Sequence, residues 1–108
     1  MAALTELNFE FKPENPKTIK DEWAHIGVVS SGDLEVLIEK DSNLKGMVKF
    51  HILTTVTGFD DVWETVIRKF VHKTGLSGVK VSINDNAATP AVVVRRLQQS
   101  VDNGGGLQ

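Results

Sequence analysis

The 108 residues amount to one domain, and 41% hydrophobic with 24% charged residues is an ordinary globular mix that excludes a disordered chain or a coiled coil. Without a cysteine there can be no disulfide, thiolate zinc site or thiol nucleophile, and 12 Lys+Arg against 14 Asp+Glu leave no basic excess to neutralise nucleic-acid phosphates. No apolar run approaches the ~18 residues of a membrane span and the N-terminus holds no apolar signal core, so the expectation is a cytoplasmic chain without membrane insertion.

Residues 4–12 alternate, with Leu7, Phe9 and Phe11 on one side and Asn8, Glu10 and Lys12 on the other, which predicts a half-buried strand. Pro13 and Pro16 bracket a polar loop. His25–Val29, rich in β-branched residues, predicts a second strand, and Leu34–Lys40 a third with Leu34, Val36 and Ile38 on one face. Between them Ser30-Ser31-Gly32-Asp33 is a cluster of turn-formers, so the pair reads as a β-hairpin. Met47–Val56 is the longest strand candidate, its apolar face of Val48, Phe50, Ile52 and Val56 interrupted by Thr54. From Phe59 the period changes: Phe59, Val62, Trp63, Val66, Ile67, Phe70 and Val71 fall at helical spacing, with acids first, bases last and Gly75 placed to terminate. Val79, Val81 and Ile83 give another strand. Thr89-Pro90 starts a second helix as N-cap and N1, with Val93, Val94, Leu97 and Val101 as its stripe. The expected fold is α+β: a mixed, mostly antiparallel sheet of about four to five strands with two helices on one face. Residues 1–103 are expected to form the single domain and 104–108 a flexible C-terminal tail.

Self-contained catalysis finds little support. His25, His51 and His72 are dispersed without metal-ligand spacing, and Asp60-Asp61 is explained by a helix's first turn. No phosphate-binding glycine loop precedes a helix. Trp63 belongs to a core stripe, whereas Trp23 suits core packing and partner contact equally. Leu37, Met47 and Leu53 point to the sheet face away from the helices. Arg95-Arg96 reads as a solvated helix face, unless it lies beside Ser31, where contact with phosphates becomes the better assignment. The Ser30–Asp33 turn is the more informative place. A serine at a hairpin tip followed by glycine is open to another enzyme, and Asp33, Glu35 and Glu39 suggest acidic surroundings suited to a basic partner rim.

VVSSGDLEVLIEK, a β-α unit, and then SINDNAATPAVVVRRLQQ resemble the acyl carrier (delta) subunit of malonate decarboxylase over roughly residues 5–101. SGDLEV at 31–36 and IND..ATP at 83–90 carry the resemblance together. It implies a carrier subunit that is not itself an enzyme, belonging to malonate metabolism. It also implies a phosphoribosyl-dephospho-coenzyme A prosthetic group joined through a phosphodiester to the serine before glycine-aspartate, here Ser31, with Gly32 and Asp33 beside it. Ser30 stands where the family usually has glycine, so two hydroxyls adjoin and register on GDLEV selects Ser31. Ala87 likewise stands at a common glycine position. The implied partners are acyl-transferase and decarboxylase subunits of the same complex and a prosthetic-group transferase. The acetyl-to-malonyl exchange and the release of CO2 would occur on those subunits. A weaker similarity to the citrate lyase acyl carrier subunit is the nearest alternative, and an unmodified protein-binding module the alternative from another class. Fatty-acid carrier proteins, helical bundles with an aspartate-serine-leucine motif, are not matched.

Overall fold

The computed structural model describes residues 4–108. Five strands, β1 (Thr5–Phe11), β2 (Trp23–Gly27), β3 (Asp33–Lys40), β4 (Val48–Thr54) and β5 (Val79–Asn86), are joined by two helices, α1 (Asp60–Thr74) and α2 (Pro90–Asn103). The sheet order is β1-β4-β5-β3-β2. Every neighbouring pair is antiparallel except β4 and β5, which run parallel because α1 connects them as a crossover. This is the expected α+β architecture, with five strands.

The period of two decides which face is covered. Leu7, Ile52, Ile83 and Val36 lie in one register row, and Phe9, Phe50, Val81 and Ile38 in the next. These rows join Ile67, Phe70, Val71, Leu97 and Val101 of the helices in one core. Thr54, which interrupts the apolar face of β4, is fully buried and donates its hydroxyl to Asp85 at 2.8 Å. On the opposite face the strands present polar side chains, including the pairs Glu10–Lys49 and Glu6–His51. Leu37 and Leu53 lie there half-buried among them.

Two boundaries differ from the expectation. β2 spans Trp23–Gly27, two residues earlier than its β-branched residues suggest, and Val28 and Val29 are exposed in the loop. Gly27 sets the limit: its φ is 85°, and a Cβ there would collide with the Leu34 carbonyl oxygen. Phe59, Val62 and Val94 follow the helical period yet remain exposed. The N-terminal ends of α1 and α2 leave an apolar cleft of about 290 Å³ between them, floored by Trp63 and Val93. Trp23 is 64% exposed at the sheet edge, so it is no core residue. At the chain's end, where a flexible tail was expected, Leu107 pairs with Ile19, and Thr18 and Gln108 exchange backbone hydrogen bonds.

Candidate functional site

The loop of residues 28–32 between β2 and β3 emerges beside the C-terminal end of β5 and the first turns of α2. Local chemistry makes its tip. The Asp33 N–H donates to the Ser30 carbonyl at 2.9 Å, closing a four-residue turn with Ser31 and Gly32 at its two corners. Gly32 has φ 75°, the left-handed value that a turn of this hand requires at its third position. A Cβ on Gly32 would meet nothing within 4 Å, so the glycine is needed for backbone conformation and leaves open space beside Ser31. The Gly32 N–H donates to the Asn86 carbonyl at 2.8 Å, tying the tip to the end of β5. Ser30 and Ser31 are both exposed, and neither hydroxyl is engaged by another described residue.

Asp33 has a structural partner that is distant in sequence. Its carboxylate takes two parallel bonds from Arg96, Nε to Oδ1 at 3.0 Å and Nη2 to Oδ2 at 2.6 Å, and Oδ1 also accepts the Leu34 N–H at 2.8 Å. The Arg96 hydrogen bonds, and then the Leu34 N–H, hold the Asp33 carboxyl below its usual range. The same pairing raises Arg96. The free Nη1 of Arg96 donates to Gln99 Oε1 at 3.0 Å. Arg96 therefore clasps the serine loop to α2, and the fork geometry fixes both distance and orientation.

Ser30, Ser31, Arg95, Arg96, Val92 and Gln99 line a cleft of about 330 Å³ in which the loop faces the helix. The sequence suggested acidic surroundings, and the structure reverses that. Asp33 is matched by Arg96, and Glu35 turns to the open sheet face, where it accepts from His25 Nε2 at 2.9 Å and Asn84 Nδ2 at 2.8 Å. Those two donors, the His25 ring first, lower the Glu35 carboxyl. Arg95 is exposed and forms no ion pair among the described residues. Beside Ser31, then, the local balance is cationic.

A second motif braces the first. Asp85, 3% exposed, accepts from the Thr54 hydroxyl at 2.8 Å, the Ala87 N–H at 3.2 Å and the Ala88 N–H at 3.1 Å. This shapes the loop into α2, whose N-cap Thr89 accepts the Val92 N–H. Ala87, at the position expected for glycine, has φ 61° and is the one described non-glycine residue in the left-handed region. No three His, Asp or Glu side chains gather as metal ligands among the described residues.

The family model described as malonate decarboxylase delta subunit (MdcD) matches residues 21–103, a span holding the serine loop, the Asp85 loop and α2. The chain belongs to that family. It is 48% identical over 98 residues to the malonate decarboxylase acyl carrier protein of Malonomonas rubra, covering 91% of this chain and 87% of that one. The corresponding protein of Xanthomonas campestris pv. campestris (strain B100) is 41% identical over 96 residues, covering 89% of this chain and 90% of its own. The delta-subunit fold is also similar to a chain in the crystal structure of a Pseudomonas malonate decarboxylase hetero-tetramer in complex with malonate. There the TM-score is 0.79 at 30% identity, with 94% of this chain and 99% of that chain covered. Within this delta-subunit family member, the structure brings Ser31, Gly32 and Asp33 together as the sequence suggested and meets the condition set for Arg95-Arg96, which lie beside the serine loop; the Arg96 pairing with Asp33 and Gln99 was not foreseen. The Arg-Arg pair was visible, but its position beside the loop depends on strand order.

Proposed function

We propose that this chain is the acyl carrier subunit of a malonate decarboxylase, and that Ser31 Oγ is the attachment point for phosphoribosyl-dephospho-coenzyme A. The observation that carries the proposal is an exposed Ser31 hydroxyl without a partner among the described residues, at the corner of a turn clasped by Asp33 and Arg96, in a chain of this family with no cysteine of its own. When attached, the group supplies the thiol on which acetyl and malonyl are carried while malonate is converted to acetate and CO2.

The residues present suit such a group. Ser31 is exposed at one corner of the turn, with open space at Gly32 for a transferase to approach. The Ser31 hydroxyl would supply the oxygen that holds the group through its phosphodiester, and no other described residue engages that oxygen. Ser30, one residue earlier, supplies through its carbonyl the acceptor that closes the turn. Gly32 sets the bend, and Asp33 keeps the loop fixed and has its oxygens occupied by Arg96 and Leu34. A firm mount with a mobile arm suits a carrier, since tethering raises the local concentration of the acyl group at each partner active site.

The deciding experiment is intact mass spectrometry after co-expression with the prosthetic-group transferase. A cofactor-sized increase is expected for wild type and Ser30→Ala and is expected to be absent from Ser31→Ala. An increase that persists in Ser31→Ala and vanishes in Ser30→Ala would move the site. No increase in wild type with a competent transferase would end the carrier assignment.

A further inference from the structure

We infer that the cleft between the serine loop and α2 is a phosphate-binding cradle, in which Arg95 and Gln99 hold the anionic oxygens of the phosphodiester formed on Ser31. The inference rests on the Ser31 attachment proposed above and adds the residues that recognise the ligand's charge.

The donor arrangement carries it. Two guanidinium groups and one carboxylate line the cleft, and Arg96 already satisfies that carboxylate with two bonds. The remaining positive charge is Arg95, exposed and without an ion pair among the described residues. Gln99 is oriented by the same network: an arginine can only donate, so Gln99 must present Oε1 to Arg96 Nη1 and keep its NH2 group as a donor. Arg95 and Gln99 lie four apart on α2, on one helix face one turn from each other. The cleft thus offers a guanidinium, a pre-oriented amide and the Ser30 hydroxyl, a donor set matched to an oxyanion rather than to an apolar or cationic ligand.

Position makes the ligand specific. A phosphodiester on Ser31 has its phosphorus one bond from Oγ, so its charge falls within a cleft that Ser31 itself lines. Asp33 would repel that charge were it free; the Arg96 clasp removes this cost while holding the loop against the helix. The arginine pair is therefore divided: Arg96 positions the loop, and Arg95 faces the ligand.

NMR on the bare and loaded full chain tests this, with intact mass confirming loading. The Arg95 Nε–Hε resonance should move on loading. The 31P resonance of the diester should differ between wild type and Arg95→Gln, with Arg95→Lys partly restoring it. Arg68→Gln, which removes an equal charge on α1 where Arg68 pairs with Glu64, should leave the diester resonance in place. Attachment by the transferase should slow about tenfold in Arg95→Gln, the scale of one charge-assisted hydrogen bond. A loaded chain whose Arg95 resonance and diester 31P shift are both indifferent would overturn the cradle while leaving Ser31 attachment intact. A wild-type chain that gains no mass would overturn both.

Discussion

Removing the Asp85 carboxylate tests whether the brace under the serine loop is a matter of hydrogen bonding or of packing. Three donors converge on it, at 2.8 Å from Thr54, 3.2 Å from Ala87 and 3.1 Å from Ala88. In Asp85→Ala the Thr54 hydroxyl, itself fully buried, and two backbone N–H groups lose their acceptor together. A bond to a charged acceptor contributes about 1.5–3 kcal/mol and a neutral one about 1 kcal/mol. The two backbone bonds are long and belong at the lower end, and returning the carboxylate to water in the unfolded chain is no longer required. The expected loss is about 3 kcal/mol, a large part of the 5–15 kcal/mol that holds a typical domain. At about 4 °C per kcal/mol, the melting point should drop by about 12 °C. Asp85→Asn keeps the shape but must turn its NH2 group toward at least one donor, and should lose about 1–2 kcal/mol. Thr54→Val removes two bonds, the one its hydroxyl donates to Asp85 and the one it accepts from the Val56 N–H at 3.2 Å, and should lose about 2 kcal/mol. Urea unfolding followed by tryptophan fluorescence, in which buried Trp63 beside the neighbouring cleft changes surroundings more than exposed Trp23, measures all three. Amide exchange at Gly32, whose N–H is held by the carbonyl of Asn86 next door, should accelerate in the same order. An Asp85→Ala loss below about 1 kcal/mol, or Asp85→Asn indistinguishable from wild type, would refute the hydrogen-bonding account.

The left-handed positions form a graded series in the same unfolding assay. Gly27→Ala combines positive φ with a collision against the Leu34 carbonyl and should cost about 3 kcal/mol, whereas Gly32→Ala, in open space, should cost about 1 kcal/mol. Ala87→Gly should stabilise by up to about 1 kcal/mol, relief of strain being offset by the greater freedom of unfolded glycine; equal effects at all three sites would refute the distinction. The Asp33–Arg96 clasp predicts a pH dependence. The folded carboxyl lies below its ordinary value of 3.8, so its contribution is full above that value and is lost as pH falls through the lowered folded value. A 13C titration of the Asp33 carboxyl should give a midpoint below 3.8, rising toward it in Arg96→Gln; an unshifted midpoint in wild type would refute the clasp in solution.

What was legible in the sequence followed the range of the interaction. The Ser30–Asp33 turn is local: four residues, one backbone bond and one left-handed glycine determine it, and so it could be read directly. The strand faces and both helices were equally accessible, because burial repeats at two or near 3.6 residues. Gly27 defeated the end of β2, since a collision with Leu34 belongs to the paired strand and leaves no mark on residues 25–29. The periodicity of α1 and α2 was also silent on whether an apolar face is covered. Phe59 and Val62 keep the period of Trp63 and Ile67, but they lie where the two helices part.

The arginine side of the candidate site is non-local, and this is why the sequence alone left Arg95-Arg96 between a solvated helix face and a contact beside Ser31. Asp33 and Arg96 are 63 residues apart, and their meeting requires β3 to neighbour β5 while α2 folds back over β2 and β3. Neither residue announces that placement. Once it is known, the sign of the surroundings changes: residues that made the turn look acidic are neutralised or turned to the open face, and the unmatched charge beside Ser31 is positive. A docking account based on an acidic tip would require Asp33 to be free. Two parallel bonds from Arg96 make it part of the loop's support, leaving Arg95 as the unpaired charge beside Ser31 among the described residues.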